Sequence, residues 1–498
     1  MERAGSRCSR AVRSVVWPLL VMMLSTGQIG LAQDLAEFES RVTQFTLDNG
    51  LRFIVLQRHE APVVTCYTHA NVGAVDEVTG LTGLAHLFEH MAFKGTRTIG
   101  TKDYEAEAKA LAKIDAAFEA IKAEKARTGA VDEQRLAELQ QEFQEAQQEA
   151  QQYLVHDEFD EILKQAGGVG LNAGTSSDYT VYFVSLPSNK LELWMLLESD
   201  RFLNPVLREF YKEKDVVMEE RRLRTETQPV GKLLEEFLAV AYKAHPYGAP
   251  VIGHMSDIEA VTRSEAETFF HAHYGPSNLT MAIVGDVDPA RVKALAQEYF
   301  GRIPFRPAPD PVETVEPPQP GERRVVVEDP AQPFVLIGYH KPSINHEDNA
   351  VFDAITDIMG SGRTSRLYRS LVRDKKIAMA TSGFQGMPGQ KYPGLFLFYA
   401  MPARGHTNQE CEQAIYAEIE RLRSEPVTEQ ELEKAKTRAR AALIRQLDSN
   451  SGLAELLTFY EVLTGDWRNL FKQLEQIDRV TAADVQRVAR TYFTTKNR

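Results

Sequence analysis

The segment TGLAHLFEHMAFKGT, from Thr82 to Thr96, holds His86 and His90 four residues apart, with Glu89 three after His86. On a helix that spacing puts both imidazoles on one face, with Glu89 bordering it. Two imidazoles so placed can grip one zinc ion, and a neighbouring carboxylate can accept a proton from water on the metal. With 12 His in the chain, about 0.02 chance matches to H-x-x-E-H are expected. Leu84, Leu87, Phe88 and Met91 supply the apolar remainder of such a helix. The chemistry predicted is metal-assisted hydrolysis.

A catalytic zinc needs a third protein ligand and an open position. The segment FYKEKDVVMEERRLRTE, Phe210 to Glu226, carries Glu213 and Glu220 seven residues apart. Seven residues is two helical turns, so both lie on one face. Glu219 is adjacent, and spacing alone does not exclude it. A charge run of this kind also reads as a solvated helix face.

The elements that must position these residues fall into two halves. Seven prolines between Pro304 and Pro320 preclude a helix or central strand and predict an extended linker, 304–322. It divides a first domain, 41–303, from a second, 323–498. The halves echo each other: Ile258-x-x-Val261-Thr262 recurs as Ile477-x-x-Val480-Thr481, Tyr274 as Phe493, and Asn278 as Asn497. Strand-like segments such as FTLDNGLRFIVLQ and TMAIVGDV alternate with helical ones. The reading is a tandem, duplicated α+β repeat. Residues 101–165 fit neither copy. Rich in Ala, Glu, Gln and Lys, without proline and with one glycine, Gly129, they predict a protruding antiparallel helical hairpin, with Gly129 as stop and Asp132 as cap.

The N-terminus carries Arg3, Arg7, Arg10 and Arg13, then an apolar run from Val15 to Leu24, then Gly30-Leu31-Ala32. This predicts a secretory signal peptide, 1–32, and an exported, periplasmic protein. The signal contains four Arg and one Glu, so its removal takes the formal net charge from −13 to −16. A chain this acidic is unsuited to nucleic acid. Cys66 and Cys411 remain, with no disulfide framework and no CxxC metal site.

Taken together, these motifs resemble the M16 peptidases, the family of pitrilysin, insulin-degrading enzyme and the mitochondrial processing peptidase, in the short two-repeat bacterial form. GLAHLFEHMAFKGT resembles the family's zinc helix, EKDVVMEE the segment bearing the third ligand, and GLNAGTSSDYTVYF the strand pair between them. HPYGAPVIG and YGPSNLTMAIVGD are similar to the family as well.

The resemblance implies two α+β repeats forming one half of a clamshell, and one zinc ion per chain held by His86, His90 and Glu220. Glu89 would act as general base on the bound water, with Glu213 as a supporting acid. The substrate, a peptide or unfolded segment, would add as a strand near Leu171–Thr175, beside Asn172. Active members present an Arg and a Tyr, seven apart, from the facing half. Here Val372 and Met379 align with those positions. The expectation is therefore a zinc endopeptidase working with a second M16-like subunit that supplies the Arg/Tyr pair, as a heterodimer, with a homodimer as the other arrangement. The competing readings are a catalytically silent structural or substrate-binding subunit, and an exported peptide-binding module using the hairpin. Of the remaining histidines, His245 fits a turn, and His156, His254, His271, His273, His340 and His346 have no ligand spacing.

Overall fold

Strands β1 (Val42–Thr46), β2 (Arg52–Gln57), β3 (Val63–Ala70), β4 (Val169–Thr175), β5 (Thr180–Pro187) and β6 (Leu279–Gly285) form one sheet, in the order β1-β2-β6-β3-β5-β4. They belong to a computed structural model that describes residues 37–128 and 131–498. The expected signal peptide and Gly129 lie outside those residues. β6 runs parallel to β2 and antiparallel to β3, and all seven of its residues are buried. That burial explains its continuous apolar run, since a strand enclosed on both faces needs no alternation. β4 pairs only with β5 and forms the sheet's outer edge.

The first half also contains α1 (Leu84–Met91), α2 (Tyr104–Lys125), α3 (Glu133–Gln151), α4 (Glu158–Gln165), α5 (Leu191–Leu203), α6 (Phe210–Arg221), α7 (Pro229–Ala241), α8 (Met255–Ala260), α9 (Arg263–His273) and α10 (Pro289–Tyr299). All but α7 bury their apolar faces in one core running from Leu47 to Ile303, while Leu238 of α7 packs with Tyr242, Tyr247, Leu395 and Leu397. A second core, from Ile337 to Phe493, is built on a three-stranded antiparallel sheet, β7 (Val335–Lys341), β9 (Gly394–Pro402) and β8 (Ala378–Met387), in that order. Around it pack α11 (Asn349–Gly360), α12 (Asn408–Ser424), α13 (Glu429–Leu447), α15 (Asn469–Arg479) and α16 (Ala482–Tyr492), while α14 (Asn450–Thr464) meets α13 and α15 in a smaller cluster of Leu443, Leu456, Tyr460 and Leu470. α14 crosses to lie against β3 and β6 of the first sheet.

Matching residues of the two halves do the same local work. Thr262 and Thr481 each cap a helix in a reciprocal box, with Glu265 and Asp484 respectively. Asn278 Nδ2 donates to His273 O and Asn71 O, and Asn497 Nδ2 donates to Tyr492 O and His340 O. The echo in the sequence is thus a structural repeat. Residues 304–334 adopt neither helix nor strand. This segment is pinned all the same: the Glu316 carboxylate accepts from the backbone N–H groups of Lys243, Ala244 and His245.

The hairpin differs from expectation in one respect. Asp103 and Asp132 cap α2 and α3, but the pair does not project freely. Leu111, Ile114 and Ala146 enter the first core, and Phe118 and Phe143 stack around Tyr211 of α6. Its apolar residues recur at helical spacing, so one face must bury. That face meets the helix carrying Glu213 and Glu220.

Candidate metal centre

The histidine helix starts abruptly. Gly83 precedes α1 with φ +90°, and a Cβ there would come within 2.7 Å of Ile252 O. Glycine cannot cap with a side chain, so Glu77 does so from a distance: its carboxylate accepts from Gly83 N and Ala85 N, each at 2.7 Å. Thr82 Oγ1 donates to Asp257 at 2.7 Å, fixing the preceding turn to α8.

From this helix His86 and His90 face α6. His86 Nε2 lies 3.6 Å from Glu220 Oε2, and His90 Nε2 lies 3.5 Å from the same oxygen. Ligands held ~2.1 Å from a tetrahedral centre stand about 3.4 Å apart. The donor set therefore fits a four-coordinate zinc with three protein ligands and one open position. Among the described residues, His86, His90 and Glu220 form a group whose ligand atoms all fall within 4.8 Å of one another. Burial, His90 and Arg224 push His86 down to about 4, which keeps it neutral and ready to ligate.

Glu213, two turns back on the same face of α6, stands behind His90, with Nδ1 and Oε2 separated by 3.4 Å, and its other oxygen meets Lys94 Nζ at 2.5 Å. Burial raises the Glu213 carboxyl, but the hydrogen bonds with His90 and Lys94 outweigh it and hold the group below its usual range. Burial alone would lower His90. The Glu213 hydrogen bond and the charges of Glu220, Glu213 and Glu89 instead raise it. A ring so held has a set orientation. Glu219, which spacing left open, points away and pairs with Arg222.

Glu89 borders the group. Thr175, the last residue of β4, donates its hydroxyl to Glu89 Oε2 at 2.6 Å. Burial raises the Glu89 carboxyl, against the opposing effect of that hydrogen bond. A carboxylate with a raised pKa and a fixed oxygen suits proton transfer near neutrality. Thr175, Glu77 and Arg224, which pairs with Glu220 Oε1 at 2.6 Å, were not singled out in the sequence. Thr175 is 86 residues from Glu89, and no local pattern links them.

Asn172 is exposed on the edge strand β4. Val372 packs against the second core, and Met379 is exposed on β8. His245 accepts from Tyr247 N and so closes the HPYG turn. Cys66 and Cys411 are both free and buried. In the second half α11 follows β7 as α1 follows β3, but it offers Asp353 and Asp357 in place of histidines. Arg438 of α13 donates to Asp357 Oδ1 at 3.0 Å.

Two family patterns match the chain. One, insulinase (peptidase family M16), covers residues 52–128 and 146–254, and the other, the peptidase M16 inactive domain, covers 260–439. The chain belongs to peptidase family M16. The first match skips 129–145, a stretch that includes the first part of α3. A zinc protease, PqqE, of Helicobacter pylori is 29% identical over 456 residues, covering 90% of this chain and 89% of that protein. The β subunit of the mitochondrial processing peptidase of Saccharomyces cerevisiae is 25% identical over 337 residues, covering 64% and 72%. The crystal structure of a protease from Helicobacter pylori superposes with a TM-score of 0.76 at 28% identity, over 92% of this chain and 97% of that one. The periplasmic protease PqqL from Escherichia coli has the same fold, with a TM-score of 0.67 at 17% identity, and this chain spans 47% of it. Among the described residues no helix is long and apolar enough to cross a membrane.

Proposed function

We propose that this M16 protein is a zinc-dependent endopeptidase acting on peptides or unfolded protein segments. The observation that carries the reading is the convergence of His86 Nε2, His90 Nε2 and Glu220 Oε2 at tetrahedral spacing, with Glu89 alongside. When bound, zinc supplies Lewis acidity at the open side of that triangle. Glu89 takes the proton of the attacking water and returns it to the leaving amine. Thr175 keeps one Glu89 oxygen fixed while the other works. Glu213 and Lys94 orient the His90 ring. The exposed edge of β4, with Asn172, ends at Thr175 and offers a scissile bond an extended seat beside Glu89.

By the family resemblance, Val372 and Met379 align with the positions of the Arg and Tyr that active members present to the zinc from the opposite half. This favours a working form with a second M16-like subunit that supplies them, in the periplasm after loss of residues 1–32. The relatives named zinc proteases support the hydrolytic reading.

The test is zinc content and peptide cleavage measured together on the mature protein, alone and with related subunits. Wild type is expected to hold about one zinc per chain. Glu89→Gln should keep the metal and lose cleavage, and His86→Ala should lose both. Failure of folded wild type to take up zinc would overturn the proposal.

A further inference from the structure

Arg208 lies two residues before α6 and is buried at 1% exposure. Every N–H of its guanidinium is used. Nε and Nη2 donate to Glu107 at 2.8 and 3.2 Å, Nη1 donates to Lys94 O and Ile99 O at 2.6 and 2.8 Å, and Nη2 donates to Thr96 O at 2.6 Å. The three carbonyls belong to the chain leaving the histidine helix. The arginine itself belongs to the chain entering the glutamate helix. Glu107, also 1% exposed, comes from the hairpin. Gly95 and Gly100, both left-handed at φ +91° and +84°, leave room for the fork: a Cβ on either would stand 2.8 or 2.7 Å from Nη1.

Lys94 makes the connection direct. Its carbonyl is held by Arg208, and its ammonium reaches Glu213 at 2.5 Å, behind His90. Tyr211 of α6 and Arg263 of α9 both donate to Asp115 of the hairpin, each at 3.1 Å. The side of α6 opposite Glu220 is thus backed by the hairpin.

A buried ion pair adds little stability over apolar residues of the same volume. What this one does contribute is geometry, because a planar fork with five donors fixes direction as well as distance. We infer that Arg208 and Glu107 are positioning residues for the metal site. They set the separation of α1 and α6 and thereby the affinity for zinc, making the hairpin part of the metal centre's support. This inference rests on the metallopeptidase reading above.

The experiment compares wild type with the double variant Glu107→Leu/Arg208→Met, which exchanges the pair for apolar side chains. Zinc affinity is measured by competition with a chromophoric chelator, the cobalt(II) absorption spectrum reports coordination geometry, and thermal unfolding of the metal-free protein reports the fold. The expected result is a folded metal-free protein whose midpoint is lowered by the loss of a donor to three carbonyls, together with zinc binding weaker by about 10- to 100-fold and a changed cobalt spectrum. A purely structural pair would move the midpoint and leave both metal readouts alone. Wild-type affinity and spectrum in a folded double variant overturn the inference. If the double variant does not fold, Arg208→Lys serves instead: it retains the charge opposite Glu107 but cannot span three carbonyls, and wild-type metal binding in it overturns the inference equally. Wild type that binds no zinc overturns the metallopeptidase reading itself, a different result from either.

Discussion

If the chain is the peptidase proposed, removing the Thr175 hydroxyl should shift its working pH and leave zinc content unchanged. Thr175 Oγ1 donates to Glu89 Oε2 at 2.6 Å. A hydrogen bond to an ionised carboxylate is worth about 1.5–3 kcal/mol. One pKa unit corresponds to about 1.4 kcal/mol, so Thr175→Val raises Glu89 by about 1–2 units. Glu89 is only partly buried, which favours the lower end of that range. The direction is set by burial, which already raises this carboxyl and is left unopposed once the donor is gone. In the proposed mechanism Glu89 works as a base in its ionised form, so the acidic limb of kcat/KM should move to higher pH by the same amount, and activity below the limb should fall about 10- to 100-fold. The assay is the pH dependence of kcat/KM on a quenched fluorescent peptide, with zinc content measured on the same samples. Thr175→Ser retains the donor and should keep the wild-type limb. A Val variant whose limb stays in place, or a Ser variant that shifts as far as Val, would refute the reasoning.

Two further outcomes follow from other residues. His69 is buried, its Nε2 has no hydrogen-bond partner, and burial pushes it down to about 3. Its folded pKa lies below the unfolded value of about 6.5, so its contribution to stability is whole above that pH and is lost as pH falls through the window toward 3. His69→Phe keeps a ring against Tyr179 with nothing to titrate. In urea unfolding, the stability lost between about pH 7 and pH 5 should shrink by about 2 kcal/mol, and an unchanged gap would rule this out. Glu213→Gln removes the charge behind His90 and beside Lys94. Zinc affinity should drop about 10- to 100-fold with the fold intact, and chelator competition giving the wild-type value would show that Glu213 does not support the site.

The readable parts of the site were those encoded within one helix. His86, Glu89 and His90 share eight residues of chain, and 3.6-residue periodicity places them together whatever the rest of the protein does. The pairing of Glu213 with Glu220 on one face of α6 was legible for the same reason. The strand segments, the proline-rich extended stretch and the repeat at Thr262 and Thr481 also follow from local chemistry: apolar runs, a missing N–H, and a hydroxyl able to cap a helix.

What sequence could not decide is which groups meet across long stretches of chain. Local spacing did not exclude Glu219 beside Glu220; the packing of α6 against α1 turns one to the histidines and the other to Arg222. The hairpin read as a protrusion because its composition is that of a solvated helix. Its inner residues find a partner in Tyr211, about a hundred residues away, whose place is set by the core. Thr175 on Glu89, Glu77 under the start of α1, and Arg208 between the two ligand helices are likewise joined through the sheet edge, a turn and a buried fork. Helical periodicity is a property of a few covalently linked residues. The orientation of one helix against another depends on burying many apolar side chains at once, and that is decided only when the whole chain is folded.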